Sequence, residues 1–143
     1  RVDAAEAFIF VSPEYNHSMS PALAHLLNHF GSSLFSYKPS AIVTYSAGQW
    51  GGARAAVNMR TFLSELGCLP VSAMIHLPQA QDILTEIGDF AEGIDAEAWQ
   101  GYFGRTLAQL DWWAAAARAQ RAVEGIPAAA PTFSRDPSQR NAP

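Results

Sequence analysis

Three short apolar runs set the main constraint on this chain. Phe8-Ile9-Phe10-Val11, Ala41-Ile42-Val43-Thr44-Tyr45 and Val71-Ser72-Ala73-Met74-Ile75-His76-Leu77 are each too short for a core helix. They are rich in β-branched or aromatic residues, as strands covered on both faces should be. Their starts lie about 30 residues apart, the usual length of one right-handed strand–helix–strand unit. The spacing therefore predicts an α/β fold, a parallel sheet with helices on both faces.

The intervening stretches carry helix periodicity. After Ser20-Pro21, suited to N-cap and first helical position, Leu23, Leu26, Leu27 and Phe30 recur at i, i+3, i+4 and i+7. Gly31 is expected at the left-handed position that closes this helix. A loop over 32–38 leads to Pro39 at the mouth of the second strand. The second helix is expected from about Ala53 to Leu66, with Ala56, Met59, Leu63 and Leu66 facing the sheet, Val57 and Phe62 beside them, and Gly67 at its end. Pro78 ends the third strand. Residues 79–94 read as a surface loop with at most one helical turn. Asp95 is a candidate cap for a long helix to about Arg121, with Trp99, Phe103, Leu110, Trp113 and Ala117 inward. Residues 1–125 thus form one domain, and 126–143, rich in proline, alanine and serine without periodicity, read as a disordered tail.

The two turns after the first two strands hold the chemistry. In a parallel sheet they fall at the carboxyl edge, where open α/β folds bind ligands. The first reads Pro13-Glu14-Tyr15-Asn16 and the second Ser46-Ala47-Gly48-Gln49-Trp50-Gly51-Gly52-Ala53-Arg54. The second has neither the spacing of a dinucleotide fingerprint nor the Lys-Ser/Thr of a phosphate-binding loop. Taken singly, each turn is equally compatible with a ligand-free strand–helix connection. As an ordered pair, each just after a strand, they resemble the NAD(P)H-dependent FMN reductases, a flavodoxin-like family, over about Asp3 to Leu77 and more loosely over the last helix.

That resemblance implies a flavin oxidoreductase using FMN and NADPH or NADH, with a small-molecule electron acceptor such as free flavin or a quinone. It implies that Pro13, Glu14, Tyr15 and Asn16 line one side of the flavin, the last three through backbone N–H groups. Ser46, Gly48, Gln49, Trp50, Gly51 and Gly52 would form the opposite wall, with no side chain acting as acid or base. Members commonly form dimers or tetramers. The family's domain opens with two further strands and a phosphate-binding loop ahead of the strand found here at Phe8, so the chain reads as lacking its first strands. Two expectations follow: the 143 residues alone bind FMN weakly or not at all, and the open sheet edge needs a partner chain or further segment to cover it. A flavodoxin-like subunit with a structural or binding role and no redox activity is the alternative reading.

Composition narrows the class further. At 49% apolar and 15% charged, the chain is a globular α/β composition rather than a disordered one. A net charge of -4 argues against a nucleic-acid surface. No apolar run approaches the roughly 20 residues that span a bilayer. The single cysteine, Cys68, permits no internal disulfide and reads as an inert buried thiol. Cytoplasm is the default compartment, with an organelle left open.

Other residues are read structurally. His25 and His29 have an i, i+4 spacing that metal ligands use, but no third ligand accompanies them, so no metal site is expected. His17 is read as a plain loop histidine, with contact to substrate the lesser alternative, and His76 as a hydrogen-bonded structural histidine. Ser18 and Ser46 lack a hydrolase's histidine–carboxylate support. Trp112 and Trp113 are expected on different sides of the last helix, one core and one partly exposed, the exposed ring hinting with Trp50 at a partner surface.

Overall fold

The computed structural model describes residues 1–130 and 132. The expectation of disorder over 126–143 therefore falls largely outside the described residues. Up to Ala130 the chain continues as a turn whose Ala130 carbonyl accepts a hydrogen bond from the Tyr37 hydroxyl.

In chain order the elements are β1 (Phe8–Pro13), α1 (Pro21–His29), a short 3-10 turn (Ser32–Leu34), β2 (Pro39–Tyr45), α2 (Ala53–Glu65), β3 (Leu69–Pro70), β4 (Ile75–Leu77), α3 (Ala80–Ile83) and α4 (Ala96–Glu124). All strand pairs are parallel, and β2 is central: β1 lies on one side, β3 and β4 on the other. On one face α1 and α2 close over Phe10 and Ile42, with Leu27, Phe35, Met59 and Leu63 in the same core. On the opposite face α4 sets Leu110 against Ala41 and Val71.

The third strand is not the continuous run expected over 71–77. Ser40 is opposite Pro70 while Val43 is opposite Ile75, so four residues, 71–74, face only two, 41 and 42. Such an excess must bulge out of the ladder. Side chains of both layers hold its backbone. The Arg60 guanidinium of α2 donates to the carbonyls of Pro70, Val71 and Ser72, and Gln109 of α4 accepts from Ala73 N–H and the Ser72 hydroxyl.

The helices follow their patterns, with four corrections. Ser20 caps α1 by accepting from Leu23 N–H at 3.2 Å, but Gly31 does not close it in the left-handed region. Phe30 ends it instead, turning extended while its N–H bonds Leu27. Leu26 lies off the buried face, 54% exposed beside the free edge of β1. In α2, Val57 faces solvent rather than the sheet. Asp95 caps α4 through Ala98 N–H at 3.0 Å, as expected. Trp112 and Trp113, however, are both exposed (63% and 48%), their rings in contact at 4.7 Å. The cause is length. A 29-residue helix runs about 44 Å, roughly twice the span of a seven-residue strand, and no residue of α4 after Leu110 is buried.

Candidate functional site

The carboxyl ends of the strands carry a row of polar side chains. Ser12 is in register with Thr44, and Thr44 with His76. By strand alternation Ser12 and Thr44 share the α1/α2 face with Phe10 and Ile42. Both hydroxyl residues are completely buried, so each needs partners within the protein. Those partners are the loops above.

Ser12 closes the first loop on itself. Its hydroxyl donates to the Pro13 carbonyl at 2.8 Å and accepts from Ser20 N–H at 2.9 Å, joining the loop's two ends. Between them, Tyr15 and Ser18 exchange backbone hydrogen bonds, both 2.8 Å, around Asn16 and His17, which both take positive φ. Two successive left-handed residues inside such a pair make a type I′ turn, where asparagine is favoured and histidine is not. Side chains one turn apart on α2 hold the turn: Arg54 donates to His17 Nε2 at 3.1 Å and lies 3.7 Å from Glu14, and Asn58 donates to the His17 carbonyl. Because an arginine can only donate, Nε2 of His17 is unprotonated in this contact.

The second loop is built differently. Gly51 and Gly52 are buried with φ of +57° and +76°, and a Cβ on either would meet strand atoms: Leu77 N at 2.9 Å for Gly51, Thr44 Cβ at 2.8 Å for Gly52. Only glycine fits both the conformation and the space. The loop's carbonyls are drawn inward. Ser46 O accepts from Ala80 N–H, Gly48 O from the Ser46 hydroxyl and Gln79 N–H, Gly51 O from the Thr44 hydroxyl at 2.8 Å, and Gly52 O from Ala56 N–H. By contrast the backbone N–H groups of residues 47–52 have no acceptor among the described residues. The result is a run of free donors at the N-terminus of α2, whose dipole adds positive potential there.

The structure brings the two loops together. Glu14 N–H reaches the Tyr45 carbonyl at 3.3 Å, and Arg54, just past the second loop, contacts both Glu14 and His17 of the first. All ten predicted residues thus lie at one rim. Within the first loop the donors differ from expectation, because Glu14 and Tyr15 N–H are engaged by Tyr45 and Ser18. Only Asn16 N–H of the expected three is without a protein acceptor among the described residues. Tyr15 and Trp50, one on each loop, present exposed rings.

Sequence reasoning passed over Ser12, Thr44, Arg54 and Asn58 as site-forming residues, and read His76 only as structural. His76 does make that hydrogen bond, Nδ1 to Thr44 Oγ1 at 2.8 Å, and burial pushes its pKa down. The available signal was one polar residue near the end of each apolar run. Cys68 is buried and its pKa is raised to about 11 by burial, the inert thiol expected. Among the described residues no cluster of histidine, cysteine or carboxylate could hold a metal, and no helix is long and apolar enough to cross a membrane. A cavity of about 1010 Å³ lies on the α4 face over Val11, Val43 and Ile75, and its lining includes none of the ten residues.

Comparison with known proteins converges on one family. The model of the NADPH-dependent FMN reductase family matches residues 1–82. An NAD(P)H-dependent FMN reductase of Pseudomonas aeruginosa is 37% identical over 75 residues, 50% of this chain and 40% of that protein. An NADPH azoreductase of Bacillus sp. is 31% identical over 93 residues, 64% of this chain and 51% of the relative. The chain therefore spans about half the length of these curated relatives. Among solved structures, the flavoenzyme NAD(P)H:(acceptor) oxidoreductase FerB from Paracoccus denitrificans superposes with a TM-score of 0.64 at 20% identity, covering 78% of this chain and 63% of that one. That likeness bears on the fold, which is the flavodoxin-like α/β arrangement expected.

Proposed function

Since the chain belongs to the NADPH-dependent FMN reductase family, we propose that it supplies the ring-binding rim of an FMN-dependent NAD(P)H oxidoreductase. The electrons go to a small acceptor such as free flavin, a quinone or a related compound. One observation carries this reading: the second loop engages the Ser46, Gly48, Gly51 and Gly52 carbonyls within the protein, while its six consecutive N–H groups, 47–52, have no acceptor among the described residues. A planar ring edged with carbonyl oxygens and ring nitrogens is the complement of such a surface.

FMN, when bound, supplies the two-electron chemistry. The residues of this chain bind and orient. Gly48, Gly51 and Gly52 let backbone donors approach without side chains between, and Ser46 and Gln49 complete that wall. Pro13, Glu14, Tyr15 and Asn16 bound the other side, with Asn16 N–H the free donor of that turn. Tyr15 and Trp50 add exposed aromatic surface suited to a flat ligand. None of these side chains is assigned a proton-transfer role.

The edge of β1 that pairs with no strand among the described residues, where Ile9 and Val11 are half exposed, is where further polypeptide completes the sheet. A second copy of the chain is the partner proposed for the assembled enzyme. Cytoplasm is the compartment proposed, since it keeps lone thiols such as Cys68 reduced.

The test is spectroscopic. The full-length protein is expected to purify yellow, or turn yellow on incubation with FMN and gel filtration, and to lose visible absorbance on anaerobic addition of NADPH or NADH. A protein that retains no FMN and oxidises no reduced nicotinamide in its presence overturns the proposal.

A further inference from the structure

The polar row beneath the rim has a role beyond filling a strand end. Thr44 is completely buried, and its hydroxyl has one proton. The Gly51 carbonyl, 2.8 Å away, can only accept, so that proton lies on the line to Gly51. The second contact of the oxygen, His76 Nδ1 at 2.8 Å, must then be a donor to it. His76 thereby carries its proton on Nδ1 and fixes the direction in which the Thr44 hydroxyl points. His76 is itself anchored, its backbone N–H donating to the Tyr102 hydroxyl of α4 at 2.9 Å.

The consequence follows from peptide geometry. No peptide among the described residues is cis, and in a trans peptide the carbonyl oxygen and the following N–H point to opposite sides. Holding Gly51 O against the strand therefore turns Gly52 N–H away from it. A peptide between two glycines has the least steric resistance to rotation of any pair. If it turned over, a carbonyl would stand where the loop now offers a donor.

We propose that Thr44 is the positioning residue that sets the Gly51–Gly52 peptide, with His76 orienting its hydroxyl, so that the rim offers N–H rather than C=O to its ligand. This rests on the flavin reading for the identity of the ligand, but not for the orientation of the peptide.

Two measurements on the full-length protein separate those parts. The first is FMN affinity by fluorescence quenching for wild type, Thr44→Val, Thr44→Ser and His76→Asn. Losing one buried hydrogen bond and presenting a carbonyl should weaken FMN binding about tenfold or more in Thr44→Val. Thr44→Ser, which keeps the hydroxyl, should return to within about threefold of wild type, as should His76→Asn, whose amide can still donate. The second measurement needs no flavin. In the FMN-free protein the Gly51 carbonyl carbon and Gly52 amide nitrogen resonances should move in Thr44→Val and return in Thr44→Ser. Should Thr44→Val fail to fold, Thr44→Ala serves in its place, with the same moved resonances and weakened FMN binding expected and the same overturning results. Unmoved resonances in a folded Thr44→Val, or wild-type FMN affinity in it, overturn the inference. Moved resonances in a protein that binds no FMN would uphold the positioning role and remove the flavin reading instead.

Discussion

The two loops at the rim reach similar positions by opposite means. The first, 13–19, is tied at its two ends by buried Ser12, but its turn is held from outside by long side chains of α2, one of them, Arg54, half exposed, and it carries two non-glycine residues at positive φ. The second, 46–52, is held from beneath by buried strand atoms against which two glycines are pressed. Contacts through exposed polar side chains are worth little each, and a loop held by them can adjust. A backbone wedged against strands at under 3 Å of notional Cβ clearance cannot. The second loop is thus the fixed reference of the site, and the first the part able to shift around a ligand.

The sharpest way to break this contrast is Gly52→Ala. The new methyl would sit 2.8 Å from Thr44 Cβ at a φ of +76°, so clash and conformation act together. The left-handed conformation alone costs about 1–2 kcal/mol for a non-glycine residue, and overpacking adds about 1–3 kcal/mol. Urea unfolding should show a total loss of roughly 2–5 kcal/mol. A loss below about 0.5 kcal/mol, the scatter of ordinary surface changes, would show that the second loop gives way after all.

A pH effect comes next. Burial pushes the pKa of His76 below its ordinary 6.5, so the unfolded chain takes up a proton there before the folded chain does. The stability owed to neutral His76 is complete above about pH 6.5 and is lost as pH falls from there through the folded value. Unfolding free energies measured between pH 7.5 and 5 should therefore fall more steeply for wild type than for His76→Asn. Parallel curves would remove His76 from the support of the second loop.

The first loop should respond less. Asn58→Ala removes one hydrogen bond to His17 O from a solvent-exposed side chain, worth about 1 kcal/mol at most. Arg54→Ala removes a half-exposed contact to Glu14 and His17, worth about 0–1 kcal/mol. If either variant destabilises the protein more than Gly52→Ala does, the ranking of the two loops is reversed.

How much of this the chain announced depends on which force set it. The first two strands, the parallel sheet and both loops were legible because apolar runs ended by Pro13 and by Ser46 to Gly52 leave little freedom in an α/β chain. The expected donors at Glu14 and Tyr15 are engaged instead, Tyr15 N–H by the type I′ turn through Ser18 O and Glu14 N–H by Tyr45 O at the end of the neighbouring strand. The break at 71–74 was hidden because Val71, Ala73 and Met74 fit a strand as well as a bulge. What decides is Arg60, eleven residues before Val71 in sequence, collecting three carbonyls. Thr44 looked like an ordinary strand residue. Its meaning comes from register with Ser12 and His76, a long-range property that no local pattern carries.

Register also explains why the glycines of the second loop are not equivalent, which the smallest expected effect can expose. Gly48 lies on the same loop as Gly51 and Gly52, yet its φ is not positive and a Cβ there would meet nothing within 4 Å. Its carbonyl is already held by the Ser46 hydroxyl and Gln79 N–H, neither of which a methyl group would disturb. Gly48→Ala should thus leave the unfolding free energy within about 0.5 kcal/mol of wild type, or raise it by up to about 1 kcal/mol through the restricted unfolded chain. Any loss above about 1 kcal/mol would mean that the outer half of the loop is as tightly constrained as the part wedged on Thr44 and Leu77. The boundary between fixed and adjustable backbone would then lie outside Gly48 rather than between Gly48 and Gly51.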